Sequence, residues 1–130
     1  MTIVVGYIPT PQGEAAITAA IAQAKAHDAS LIVVNMSRDD KLVDAHRAEG
    51  SQLDRVDLEL SESGVQHEMR RIDHGTDPAE EILELIREVD ARMLVIGLRH
   101  RTPVGKLLLG STAQRLLLDA PCPVLAVKAR

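Results

Sequence analysis

Two hydrophobic rhythms alternate along this chain. Uninterrupted apolar runs at Ile3 to Val5, Leu31 to Val34, Met93 to Ile96 and Val124 to Val127 suit strands covered on both faces. Between them the apolar residues recur at helical spacing. Ala15, Ala16, Ile17, Ala20, Ile21 and Ala24 follow Thr10-Pro11, a cap followed by a first-turn proline, and predict a helix up to His27. From Asp39 a charged stretch carries Leu42, Ala45, Leu53, Val56 and Leu60 on one stripe and closes at Gly64. Asp77-Pro78-Ala79-Glu80 starts a third helix, with Asp77 or Thr76 as cap, Glu80 placed for a capping box, and Ile82, Leu83, Leu85, Ile86 and Val89 as its buried face. Ser111 to Asp119 reads as a fourth. One segment differs: Val65 to Ile72 alternates apolar and polar imperfectly, which predicts a strand exposed at a sheet edge.

Five strands alternating with four helices predict a single domain over residues 1–130, an α/β fold with a doubly wound, five-stranded parallel sheet and helices on both faces. With the half-polar third strand at one edge, the strand order is 3-2-1-4-5. That order sets the ends of strands one and four side by side with their helices leaving on opposite faces, and ligands of such sheets bind in that crevice. The loops there are Tyr7 to Pro11 and Gly97 to Gly110. Strand five becomes the other edge although it is wholly apolar, so Val124, Leu125, Ala126 and Val127 are expected to be covered, most simply by their own copy across a two-fold axis.

Composition narrows the partners. A hydrophobic fraction of 45% over 130 residues is enough for a folded core, and with Tyr7 the one aromatic residue that core is aliphatic. A net charge of −4 at pH 7 argues against a duplex-binding protein. No basic-then-apolar leader and no apolar run of about 20 residues is present, so no membrane partner is expected and the expected location is cytoplasmic. Cys122, between two prolines and without a neighbouring cation, reads as a buried, inert thiol. His27, His46, His67 and His74 lack the spacing of a metal site and read as surface or edge residues.

Candidate chemistry gathers in one place. Arg99, His100, Arg101 and Lys106 stand in the loop after strand four, just before Gly110-Ser111-Thr112 opens a helix. Cationic side chains beside the free N–H groups and positive dipole end of a helix describe an anion site, with phosphate as the expected anion. The candidate lining is Tyr7, Ile8, Pro9 and Thr10 from the first loop, Met36 and Ile96 at strand ends, and Gly97, Arg99, His100, Arg101, Gly110, Ser111 and Thr112. Other uses of this fold class fail on residues. Ile8-Pro9 stands where a receiver domain needs an acidic cluster. Gly105-Lys106 is followed by Leu107, so no P-loop is present, and no dinucleotide fingerprint follows strand one. With no Ser-His-Asp or Cys-His pairing at the crevice, no catalytic residue is nominated, and any ATP hydrolysis is expected to be weak.

Several phrases, Ile3-Val4-Val5-Gly6, His74-Gly75-Thr76-Asp77-Pro78-Ala79, Leu107-Leu108-Leu109-Gly110-Ser111 and Ala120-Pro121-Cys122-Pro123-Val124-Leu125, resemble those of the universal stress protein family, small single-domain type, and the resemblance covers nearly the whole chain. It implies a Rossmann-like, adenine nucleotide alpha hydrolase-like fold, a stress-response role, a homodimer acting on an unknown regulatory protein, and ATP or AMP, with or without Mg, in the crevice. Nucleotide-binding members carry Gly, two residues, Gly, nine residues, then Gly with Ser or Thr; Gly97, Gly110 and Ser111 match, while His100 replaces the middle glycine. Ile8 stands where such binders have an Asp. Those departures keep a second expectation alive, a nucleotide-independent dimerisation module whose crevice is closed by His100 and Ile8.

Overall fold

A strand with apolar side chains on both faces needs a helical layer on each side. The computed structural model, which describes residues 1–37, 43–72, 75–99 and 110–129, supplies both. Strands β1 (Thr2–Tyr7), β2 (Ser30–Asn35), β3 (His67–Arg71), β4 (Met93–Leu98) and β5 (Val124–Lys128) form one sheet in the order β3-β2-β1-β4-β5. Every pairing is parallel, with Val4 opposite Ile32 and Leu94, and Val95 opposite Leu125. The connections are α1 (Pro11–His27), α2 (Val43–Ser63), α3 (Pro78–Val89) and α4 (Ser111–Asp119).

The period of two along β1 divides the interior. Ile3, Val5 and Tyr7 face a core shared with Ala16, Ile17 and Ala20 of α1 and Val56 and Leu60 of α2. Val4 faces the opposite core, with Ile82, Leu83 and Ile86 of α3 and Leu116 of α4. Helices α1 and α2 therefore cover one side and α3 and α4 the other, as expected for a sheet whose direction of travel reverses at β1. The buried face of α1 is Gly13, Ala16, Ile17, Ala20 and Ala24. Those small residues let the helix lie close: a Cβ on Gly13 would fall 1.8 Å from the Ile8 carbonyl oxygen, so the first turn of α1 rests directly on the exit of β1.

Local signals behave as their chemistry requires. The Thr10 hydroxyl accepts a bond from the Gly13 N–H at 3.1 Å, and Asp77 Oδ1 accepts from the Ala79 N–H at 3.2 Å. Both helices thus carry side-chain caps at their N-termini. Glu80, which suits a capping box by position, is engaged by Arg115. Strand β3 lies at the edge, with His67 and Met69 half-buried between exposed Glu68 and Arg70, while Arg71 at its end is exposed. Leu42 and His74 fall outside the described residues, as does the start of the second helix at Asp39. The Cys122 thiol is half-buried, and burial raises its pKa, opposed by a smaller backbone hydrogen-bond effect at Leu94, which fits an unreactive group.

Tyr7 is fully buried, and its hydroxyl donates to Glu14 Oε1 at 2.8 Å. Burial first, and then the acceptor carboxylate of Glu14, push the phenol well above its usual pKa of about 10. A folded-state pKa raised in this way contributes stability that is complete below about pH 10 and is lost as pH climbs toward the folded value. Because Tyr7 is the single tyrosine, tyrosinate absorbance reports this group alone. It is expected to stay flat through about pH 10 in the native protein and to rise there in denaturant. Tyr7→Phe should flatten the alkaline loss of stability; a native titration near pH 10 would contradict the burial.

Candidate functional site

Reversal of the winding at β1 leaves a crevice where β1 and β4 end, because α1 departs on one face and α4 on the other. Gly6 of β1 is paired with Ile96 of β4, and the Met36 N–H donates to the Tyr7 carbonyl at 2.8 Å, which ties the end of β2 to the same place. The resulting cavity holds about 250 Å³. Ile8, Met36, Ile96, Leu98, Ala113 and Leu116 give it an apolar lining, and Gln12, Arg99, Ser111 and Thr112 bring polar groups to it; Gly97, Gly110 and Pro78 complete the wall. No acidic side chain stands among these lining residues.

Eight of the residues expected from sequence meet here: Ile8, Met36, Ile96, Gly97, Arg99, Gly110, Ser111 and Thr112. Tyr7, Pro9 and Thr10 do not line it. The Tyr7 side chain points into the α1–α2 core, and the Thr10 hydroxyl is committed to capping α1. His100, Arg101 and Lys106 lie outside the described residues. Ile8 forms part of the wall of an open cavity and does not fill it. Gln12, Pro78, Leu98, Ala113 and Leu116 were not foreseen. The first two stand in the opening turns of α1 and α3, and one topological fact would have found them: in a parallel sheet every connecting helix begins at the strands' C-terminal edge.

The electrostatic character comes from α4. Its first helical hydrogen bond runs from the Gln114 N–H to the Gly110 carbonyl at 2.9 Å, so the N–H groups of Ser111, Thr112 and Ala113 precede the helical ladder. Gly110 caps this helix without a side chain, whereas α1 and α3 have theirs capped by Thr10 and Asp77. Three donors without a partner among the described residues and the positive end of a helix dipole therefore stand at the cavity beside exposed Arg99, an arrangement that attracts an anion.

Residues 1–128 match the universal stress protein family. The chain belongs to that family. It is 51% identical over 126 residues to a universal stress protein of Mycolicibacterium smegmatis, covering 97% of this chain and 96% of that one. The universal stress protein of Archaeoglobus fulgidus has a solved structure similar to it, with a TM-score of 0.78 at 26% identity and 98% of each chain covered. A universal stress protein solved in complex with cAMP is similar at a TM-score of 0.74 and 25% identity, over 100% of this chain and 98% of that one.

The glycines of this universal stress protein have separable roles. A Cβ on Gly97 would lie 2.3 Å from the Gln12 backbone oxygen, so glycine there lets α1 close over the end of β4. At Gly110 a Cβ would meet no described atom within 4 Å, and its φ of −63° suits any residue, so nothing among the described residues calls for glycine there. Gly97→Ala is accordingly expected to lower unfolding free energy by about 1–3 kcal/mol in denaturant titrations. Gly110→Ala should cost under about 1 kcal/mol, the difference between an alanine and a glycine cap. Equal losses at the two positions would refute this division.

Proposed function

We propose that this universal stress protein binds an adenine nucleotide, ATP or AMP, in the β1–β4 crevice. The phosphate would sit on the free N–H groups of Ser111, Thr112 and Ala113. One observation carries the reading: of α1, α3 and α4, whose first turns all reach the cavity, α4 is the one without a side-chain cap and the one that brings three consecutive first-turn residues to the wall. The family member solved with cAMP supports it. Apolar Ile8, Met36 and Ile96 offer surfaces to the base, and the Gln12 amide, both donor and acceptor, supplies polar recognition. A cavity of about 250 Å³ lies below the usual ~300–1,000 Å³ of small-molecule sites, which favours one nucleotide over a dinucleotide. Mg²⁺ is commonly bound through one or two carboxylates plus substrate phosphates. Among the described lining residues it would find the Ser111 and Thr112 hydroxyls.

In this reading the protein acts in the cytoplasm as a homodimer in a stress response. β5, half-buried in the single chain over Val124 to Val127, meets its own copy, and nucleotide occupancy biases contact with a regulatory protein.

Thermal unfolding with AMP, cAMP, ATP with Mg²⁺, or inorganic phosphate tests the ligand. A ligand at a hundred times its Kd should add about 2.7 kcal/mol of stability. Ser111→Pro is the informative variant: proline is favoured at the first helical position, and the extended Gly110 before it is compatible with it, so the helix survives while one N–H donor is lost. It is expected to weaken nucleotide binding by about tenfold or more, the effect of losing a hydrogen bond to a charged group. Absence of stabilisation by all four ligands at millimolar concentration would reject the proposal.

A further inference from the structure

Helix α4 spans nine residues, and Leu116 is its one buried side chain. With Leu116 as the one fully buried anchor and the small Ala113 packed only partly against the same core, apolar contacts fix the depth of this short helix more firmly than its rotation. The second attachment is Arg115. Its Nη1 donates to Asp77 Oδ2 at 2.7 Å, its Nη2 to Glu80 Oε2, and its Nε lies 3.5 Å from Asp119 Oδ2 in the same helix. Asp77 is also the cap of α3, holding the Ala79 N–H through its other oxygen. One carboxylate thus joins the first turn of α3 to the second turn of α4. The neighbours of the joined residues, Pro78 and Leu116, both line the crevice, and Ser111 and Thr112 lie one turn before Arg115 on the same helix.

We infer that Arg115 is a positioning residue for the nucleotide site, setting the rotation of α4 that aims the Ser111 to Ala113 N–H groups into the crevice. The inference rests on the nucleotide reading above. Arg115 does not line the cavity, so it acts through the two helices and not on the ligand. Its planar fork reaches two carboxylates on α3 together, a contact that a lysine makes with a single point charge.

Calorimetric titration of the wild-type full chain and its variants with AMP and cAMP provides the test, with circular dichroism to establish that each variant is folded. Arg115→Met, which keeps most of the aliphatic stem, is expected to weaken both nucleotides about fivefold, the scale of an exposed ion-pair network, and Arg115→Lys to recover part of that. Asp77→Asn separates positioning from simple charge. Asparagine still caps α3, but the pair with Arg115 is lost. If Arg115 merely adds positive charge near a phosphate, removing the Asp77 carboxylate strengthens binding; if it positions α4, the same change weakens binding, and the double variant is no worse than Arg115→Met. Asp119→Asn, confined to α4, leaves affinity unchanged. Wild-type affinity in a folded Arg115→Met, or tighter binding in Asp77→Asn, overturns this inference alone. A wild-type chain that binds neither nucleotide overturns the nucleotide reading and this inference with it.

Discussion

The reversal of winding direction at β1 is the constraint on which the rest of this structure depends. Parallel strands joined by right-handed crossovers must place successive helices on one face while the chain travels one way across the sheet, and on the other face once it travels back. From β1 through β3 the helices are α1 and α2; on the return to β4 and beyond it they are α3 and α4. Only where β1 and β4 stand side by side do helices leave in opposite directions, which opens a gap between those helices at the C-terminal ends of the two strands. The crevice is a consequence of connectivity, which is why it persists although Ile8 supplies no acidic group there.

Close packing decides the shape of that crevice, and helix termini decide its charge. Gly13 against Ile8 and Gly97 against Gln12 are approaches that a single Cβ would block, and they draw α1 tightly over the ends of β1 and β4. On the opposite face α4 is held more lightly, by one fully buried side chain, Leu116, by Ala113 and Ala120 packed partly beside it, and by the Arg115 contacts to α3. A tightly seated helix on one side and a lightly held one on the other place the rigid wall beside Gln12 and the adjustable wall at the anion end. Donor groups on the adjustable wall are the ones that ligand binding would order.

Much of the fold is legible in the sequence because its signals are local and redundant. The apolar runs of β1, β2 and β4 announce strands covered on both faces, the alternation around Met69 announces an edge, and Thr10 and Asp77 cap helices where proline follows them. The family follows from phrases such as Leu109-Gly110-Ser111 joined to that element order. The site is less legible. Tyr7 belongs to the α1–α2 core, which the period of two from Ile3 through Val5 foretells once it is applied beyond the strand's apolar run. Gln12 and Pro78 line the crevice through topology, with no chemical signature of their own. Gly97 reads in sequence as a phosphate-loop glycine, but the contact that demands it is with the Gln12 backbone, 85 residues away in the chain. The link from Arg115 to Asp77 joins residues 38 apart and is invisible to any reading of local pattern.

The central claim is that the first turn of α4 is an anion site at the end of β1 and β4. Amide chemical shifts of the isotopically labelled protein during titration with AMP address it directly. Saturable shifts concentrated on the Ser111, Thr112 and Ala113 N–H groups, with Gln12 and Gly97 following, are predicted. Binding that leaves those three amides unmoved and shifts residues at the β3 edge, or at the opposite end of the sheet, would contradict the account.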